Sequence, residues 1–411
     1  MVAKIALGYS GGLDTSVALR WLQEKYDAQV ITVTVDVGQG KDFSIIEERA
    51  EAIGSHKHYY IDAKDEFAEK YVFPAIKANA LYQGKYPLST ALSRPLIAQK
   101  LVEVAEREGA GAVAHGCTGK GNDQVRFEVT LKALAPHLKI IAPIRDWGLS
   151  REEEIEYAKR RGIPVSARVE KPYSVDQNLW GRSIECGVLE DPYQEPPEEV
   201  FEWTKNPEKA PDAPEVVSIG FKEGVPIEID GEEIGARELI ERLNIACGNH
   251  GVGRIDHIED RIVGIKSREV YECPAATALI EAHRDLEKLT LTRHELAFKA
   301  LVDAQWAFLI YSGLWVDPLR EALESFINET QRKVSGTVKL KLYKGGVQVV
   351  GRASPTSLYE LDLATYSAES SFDQEWSKGF IEIWGLSSRL ARNKAGSTAS
   401  GSDEAGGAKA D

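Results

Sequence analysis

Nine residues near the start, Gly8-Tyr9-Ser10-Gly11-Gly12-Leu13-Asp14-Thr15-Ser16, have the types and spacing of an anion site. An apolar run, Val2 to Leu7, precedes them, and Val17-Ala18-Leu19-Arg20-Trp21-Leu22 after them reads as a helix. Strand, glycine-rich turn and helix leave a row of backbone N–H groups and a helix N-terminus facing one point, which suits phosphate. Adjacent glycines permit positive φ and close approach of backbone to ligand. Ser10 and Ser16 are expected to add hydroxyl donors. No lysine closes the loop as GxxxxGKS/T requires, and no GxGxxG occurs here. Asp14 would repel phosphate unless it caps the helix or meets a metal ion carried by the nucleotide.

A second run, His115-Gly116-Cys117-Thr118-Gly119-Lys120-Gly121-Asn122-Asp123-Gln124-Val125-Arg126-Phe127-Glu128, alternates glycines with polar and charged side chains. A turn so rich in donors, emerging from a buried strand, belongs to a site. Asn122 and Arg126 stand four apart and share a helix face. The fork of Arg126 matches the two oxygens of a carboxylate. A third run, Asn249 to Arg261, places Glu259 at a strand mouth, where it suits a substrate ammonium or a salt bridge to Arg261 or Arg268. Tyr271 supplies a hydroxyl from across the turn. His250 and His257 lack a third ligand at helix spacing, so no structural metal is expected. Ser174 and Ser183 flank a mixed polar and aromatic segment and suit the polar ends of an amino acid.

These residues need a scaffold. Apolar β-formers at Val2–Leu7, Val30–Val37, Tyr59–Asp62, Ala110–Ala114 and Ile140–Ile144 alternate with helical stretches, which predicts a doubly wound parallel sheet over residues 1–165. Asp65 to Ala80 reads as helical, kinked or split at Pro74. Val35, at the carboxyl end of its strand, suits an adenine pocket, plain sheet core, or both. Tyr86 to Pro95 reads as polar and proline-marked, entering a helix at about Leu96. A larger α+β domain is expected over 166–365, with hairpins at 216–229 and 338–350, a strand at 262–268, and Ala297, Leu301, Ala304, Phe308 and Tyr311 as an apolar packing stripe on a long helix. Phe372, Trp376, Phe380, Ile383, Trp384 and Leu386 mark 366–392 as an arm that packs on another subunit or back on its own domain. Residues 393–411, rich in Ala, Gly, Ser and charge, are expected to be disordered.

Length and composition exclude several classes. A chain of 411 residues with 43% hydrophobic content buries a large core in more than one domain. No run approaches a membrane span, and the N-terminal run is too short for a signal peptide. Cys117, Cys186, Cys247 and Cys273 form no CxxC pair, which fits free thiols in a reducing, cytoplasmic compartment. A net charge of −14 argues against a nucleic-acid binder.

The first loop resembles the SGGxDS pyrophosphate loop of adenylate-forming ATP pyrophosphatases, with Thr15 as an extra residue between Asp and Ser. Together with 115–128, 174–183 and 259–271, in this order, it resembles the argininosuccinate synthase family over nearly the whole chain before the tail. The resemblance implies adenylation of citrulline by ATP, then displacement of AMP by the amine of aspartate. It implies that Gly8 to Ser16, Val35 and Gly116 surround ATP, with Mg2+ shared by the phosphates and no resident metal. Thr118, Asn122 and Asp123 are implied to position aspartate. Tyr86, Thr90, Ala91, Asn122, Arg126, Ser174, Ser183, Glu259 and Tyr271 are implied to hold citrulline; where many relatives have serine, Ala91 contributes through backbone or passes the contact to Thr90. Asp14 is expected to support the metal and Lys120 to offset developing negative charge. A homotetramer is also implied. Two other readings differ in their needs: a transfer-RNA thiolase or amidotransferase on the same fold wants cysteine pairs or a glutaminase domain, and a regulator would bind ATP without releasing pyrophosphate.

Overall fold

The computed structural model describes residues 3–148, 151–164 and 173–400. Strands β1 (Lys4–Gly8), β2 (Gln29–Asp36), β3 (Lys57–Asp62), β4 (Ala112–Ala114) and β5 (Lys139–Ile141) form one sheet in the order β3-β2-β1-β4-β5. Every pairing in it is parallel. Because helices cover both faces, apolar residues alternate between two cores rather than between core and water. Ile5 and Leu7 pack with Val17, Leu19 and Ile46 on one side, while Ala6 packs with Leu96 and Leu101 on the other. Strand order reverses between β1 and β4, so the loops leaving their carboxyl ends splay apart and open a crevice. Those loops are the two glycine-rich runs.

Three local readings are corrected. The helix expected from Leu96 runs Ser89–Arg107, starting after Leu88 at φ 66, with Pro95 inside it. Ser89 to Leu92 and Ser93 are buried despite their hydroxyls. Those hydroxyls are satisfied locally: Tyr86 OH lies 2.7 Å from Thr90 Oγ1, and Ser93 Oγ donates to the Thr90 carbonyl at 3.0 Å. Polar content therefore did not keep the segment on the surface. The fifth strand ends at Ile141, because Pro143 opens a short helix, Pro143–Trp147. The Lys64–Lys77 region is helical throughout, with a π-helical turn over Ala68–Val72 ahead of Pro74, which sits in the first turn of the next segment.

The later half is antiparallel. Strands β6 (Ser174–Asn178), β7 (Gly181–Glu185), β8 (Glu215–Lys222), β9 (Val225–Ile229), β10 (Glu232–Glu233), β11 (Arg254–Asp260), β12 (Lys266–Glu272), β13 (Gly336–Tyr343) and β14 (Gly346–Ala353) make two sheets, β11-β12-β7-β6 and β10-β9-β8-β13-β14. Both expected hairpins form. The strand expected at 262–268 instead begins at Lys266: Arg261 N–H donates to the Ile265 carbonyl at 2.8 Å and Gly264 sits at φ +89, closing a turn. The charged stretch before it is itself a strand, β11. A common apolar core joins the parallel sheet to the antiparallel half, with Trp180 and Trp306 fully buried in it.

Met1–Thr356 forms one compact unit and Ser357–Asp411 a second. The boundary expected at 165–166 falls in 165–172, outside the described residues. Within the second unit, Glu375–Trp384 and Leu386–Ser400 are helices, so the stretch expected to be disordered from 393 is helical as far as Ser400; 401–411 lie outside the described residues. Trp376, Phe380, Ile383 and Trp384 are exposed.

The turn after β2 locks onto the β6–β7 turn. Leu179 N–H donates to the Val37 carbonyl at 2.8 Å, and Gly38 sits at φ +97, where a Cβ would lie 2.7 Å from Leu179 N. Gly38→Ala is expected to destabilise the protein by on the order of 1–3 kcal/mol, through φ strain and clash together. A chemical-denaturation midpoint unchanged from the parent would contradict this contact.

Candidate active site

The loop after β1 is held from within. Tyr9 N–H donates to the Val33 carbonyl (2.9 Å), Thr34 Oγ1 donates to the Tyr9 carbonyl (2.7 Å), and Tyr9 OH meets Ser16 Oγ at 3.0 Å inside the core. Ser16 thus faces inward, against expectation. Ser10 Oγ accepts from Gly12 N–H (3.3 Å) and lies 3.2 Å from Thr15 Oγ1. At Gly116 a Cβ would come 2.9 Å from Thr15 Cγ2, so only glycine lets the second loop approach the first.

Between the loops lies a cleft of about 410 Å³. Gly8, Tyr9, Ser10, Gly12, Leu13, Asp14, Thr15, Val35 and Gly116 line it; Gly11 and Ser16 do not. Val35 is sheet core as well as cleft lining. Sequence reasoning missed the cations here. Lys41 and Arg94 line the cleft, and Arg49 donates to the Gly11 carbonyl. Burial, then the Arg94 and Arg49 guanidiniums, push the Lys41 ammonium below its ordinary value. Positive charge this crowded suits a polyphosphate. His115 is structural in its bonding: its Nδ1 accepts from Cys117 N–H (3.3 Å), which turns Nε2 toward Glu128 at 3.4 Å. Burial pushes the Cys117 thiol up to about 12, an inert group.

A second cavity of about 340 Å³ opens beside the first and shares Arg94, Gly116, Cys117, Ser174 and Asp176 with it. Tyr86, Thr90, Thr118, Asn122, Asp123, Arg126, Ser174, Ser183, Glu259 and Tyr271 all line it. Two expected residues lie elsewhere. Ala91 is wholly buried in the core, and Lys120 lines neither cavity.

The charges lining this cavity are largely paired with one another. Arg126, 3% exposed, donates from Nε to the Tyr311 carbonyl (3.0 Å) and from Nη1 to Asp123 Oδ1 (2.8 Å). Its Nη2 is buried with no partner among the described residues, which leaves a donor for an incoming acceptor. Asp123 also receives Arg94 (2.7 Å); burial raises its carboxyl, and the two guanidiniums outweigh that and hold it at about 2. Glu259 makes neither salt bridge considered from sequence. Its oxygens accept from Tyr271 OH (2.7 Å) and Tyr311 OH (2.6 Å), while Arg261 goes to Glu185 and Glu269, and Arg268 to Asp256. Asn122 is spent within the protein, donating to Tyr311 OH (2.9 Å) and accepting from Ile262 N–H (2.9 Å).

Period two does the positioning. Ser183 pairs with Asp176 on one side and Tyr271 on the other, so alternate residues of β6, β7 and β12 deliver Ser174, Asp176, Ser183, Glu185, Glu269 and Tyr271 to one face. Tyr86 stacks on Tyr271 with centroids 4.3 Å apart. Tyr311 was read as packing stripe; its stripe-mates Leu301 and Phe308 are exposed, whereas Tyr311 is buried at the site. A tyrosine ending an otherwise apolar row was the available signal. Glu269 and Arg94 carried none beyond charge.

A parallel sheet in this order, a glycine-rich loop without the P-loop lysine and an adjoining polar cavity fit an N-type ATP pyrophosphatase of the HUP class, and the family matches place the chain there. Residues 4–164 match the arginosuccinate synthase N-terminal HUP domain, and 173–391 match the arginosuccinate synthase C-terminal domain. The chain is 63% identical over 95% of its length to the argininosuccinate synthase of Pyrococcus furiosus, covering 94% of that protein. It is 59% identical over 94% of its length to that of Oceanobacillus iheyensis and 58% to that of Geobacillus kaustophilus, covering 93% and 95% of those proteins. The chain belongs to the argininosuccinate synthase family, ATP-dependent ligases of arginine biosynthesis.

Tyr311→Phe removes the hydroxyl that joins Asn122 to Glu259 and strands both partners. The expected loss is about 1.5 kcal/mol of amino-acid binding, roughly a tenfold rise in citrulline KM, with ATP KM unchanged. Equal losses for both substrates in steady-state kinetics would contradict the separation of the two cavities.

Proposed function

We propose that the two cavities divide argininosuccinate synthesis into two displacements that meet at their shared wall. The ureido oxygen of citrulline attacks the α-phosphorus of ATP, and the bond to pyrophosphate breaks. The amine of aspartate then attacks the ureido carbon, and AMP leaves with the ureido oxygen. The observation that carries this reading is the common border of Arg94, Gly116, Cys117, Ser174 and Asp176 between a cationic, glycine-lined cleft and a zwitterion-shaped one.

The loop Gly8 to Thr15 and Lys41 bind the outer phosphates, which places the α-phosphorus toward the border. Arg94 stands there to offset charge as the oxygen attacks. Val35 borders the adenine side. Asp14 makes no side-chain hydrogen bond among the described residues and lines the phosphate cleft, so it would hold a Mg2+ ion travelling with the nucleotide, which neutralises phosphate charge. Arg126, through its free Nη2, takes the citrulline carboxylate. Glu259, Ser183 and Tyr271 face its ammonium, and Tyr86, Thr90 and Ser174 frame the rest. Thr118 and Asp123 orient aspartate, with Asn122 acting through Tyr311 and Glu259. No side chain is assigned as nucleophile; rate enhancement comes from positioning and electrostatics.

Among the described residues no helix is long and apolar enough to cross a membrane, which suits a cytoplasmic enzyme. The exposed aromatic row of Glu375–Trp384 supports assembly into a homotetramer through a C-terminal arm, with the catalytic domains divided near 165 as the two family matches suggest.

Product analysis tests the sequence of steps. With ATP and citrulline alone, a stoichiometric burst of pyrophosphate is expected without free AMP; steady AMP release requires aspartate as well. Steady pyrophosphate release from ATP alone, or AMP release independent of aspartate, would overturn the reading.

A further inference from the structure

Glu269 is 7% exposed and lines the second cavity. Its Oε1 accepts from Arg261 Nη2 (2.9 Å) and Ser267 Oγ (3.0 Å), whereas Oε2 makes no hydrogen bond among the described residues. The register Tyr271↔Ser183 and Val270↔Ile184, carried one pair on, sets Glu269 opposite Glu185. Like charges facing each other across strands are destabilising. Arg261 reaches both, donating to Glu185 Oε2 at 2.7 Å. Glu259 lies on the same cavity wall with both oxygens already held by tyrosine hydroxyls. Three carboxyl groups against one guanidinium leave this end short of positive charge; Oε1 of Glu185 and Oε2 of Glu269 both lack a partner among the described residues, and of the two side chains that of Glu269 is the buried one.

We propose that Glu269 is a specificity residue of this cavity, taking the α-ammonium of citrulline on Oε2 beside Glu259. The inference rests on the reading of this cavity as the citrulline site. It assigns the ammonium a second carboxylate, which makes an amino acid bind far better than the same chain without its amine.

The groups facing Glu269 agree on the direction of its titration. Burial, then Glu185 on β7 and Glu259 on β11, raise its carboxyl to about 8, with Arg261 pulling the other way. His257, its register partner on β11, does not line the cavity, and burial holds it toward the neutral form. Ser267 and Tyr271 on its own strand carry no charge. The carboxyl of Glu269 therefore keeps its proton to higher pH than an ordinary glutamate when no ligand is bound. Ligand binding that requires the carboxylate must release a proton where the free carboxyl still holds one, and little where it has already ionised.

The test is calorimetric titration of the full-length protein with citrulline in two buffers of different ionisation heat, at pH 7 and pH 9, alongside 5-ureidopentanoate, which is citrulline without its amine. Expected is proton release on binding citrulline at pH 7, less at pH 9, and none with the deamino acid. Glu269→Gln should abolish the release and weaken citrulline roughly tenfold, leaving the deamino acid and ATP affinities unchanged. Citrulline binding without proton release, or a Gln variant that weakens both acids equally, would overturn the inference. Should the variant not fold, the two-ligand comparison on the parent protein decides alone. Failure of citrulline to elicit pyrophosphate from the parent protein would instead remove the underlying reading, whatever the proton count.

Discussion

The carboxylate of Asp123 gripped between the guanidiniums of Arg94 and Arg126 is the interaction on which both cavities depend. Arg94 arrives from the Ser89–Arg107 helix, Asp123 and Arg126 from the first turn of Asp123–Leu134, and Arg94 also pairs with Asp176 of β6. Three elements far apart in the chain are thereby tied at the border of the two cavities. A buried ion set of this kind is poor evidence for net stability, since desolvation offsets the Coulomb gain. What it does is fix direction. With Asp123 bonded to Nη1 of Arg126 and the Tyr311 carbonyl to Nε, Nη2 is the guanidinium nitrogen left without a partner among the described residues.

Around that point the fold divides labour by sheet type. The parallel sheet supplies a crevice at its switch point, and glycine lets the loops after β1 and β4 touch there. The antiparallel sheet supplies a palette, because its period of two brings hydroxyls and carboxyls from β6, β7 and β12 onto one wall. Gly38, packed against Leu179, holds the turn that follows β2 onto that second sheet. The same logic extends to Gly313, at φ +77, where a Cβ would lie 2.8 Å from Arg126 Cα. The helix ending in Tyr311 can turn close against Arg126 because Gly313, two residues on, has no side chain.

Much of this was legible before any coordinates. The nucleotide loop, the parallel sheet and ten residues of the amino-acid cavity follow from glycine spacing, β-former runs and the chemistry of the three polar runs, joined to a family resemblance. The misreadings share a cause. Ser89 to Ser93 looked too polar for a core, yet their hydroxyls bond to neighbours a turn away. Tyr311 looked like packing because a tyrosine shows its apolar ring to a pattern and its hydroxyl only to a structure. Ala91 followed from the family pattern and Lys120 from its charge; Ala91 faces the core from its helix, and Lys120, in the turn before Asp123–Leu134, lines neither cavity. Glu269 and Lys41 could not be read at all, since their meaning lies in which distant charges they face.

The central claim is that an oxygen from the amino-acid cavity reaches the innermost phosphorus held in the other. Turnover with citrulline carrying 18O in the ureido group, followed by mass analysis of the products, addresses that bond directly. The account predicts one 18O in each AMP and none in pyrophosphate or argininosuccinate. Label retained in argininosuccinate, or recovered in pyrophosphate, would contradict it.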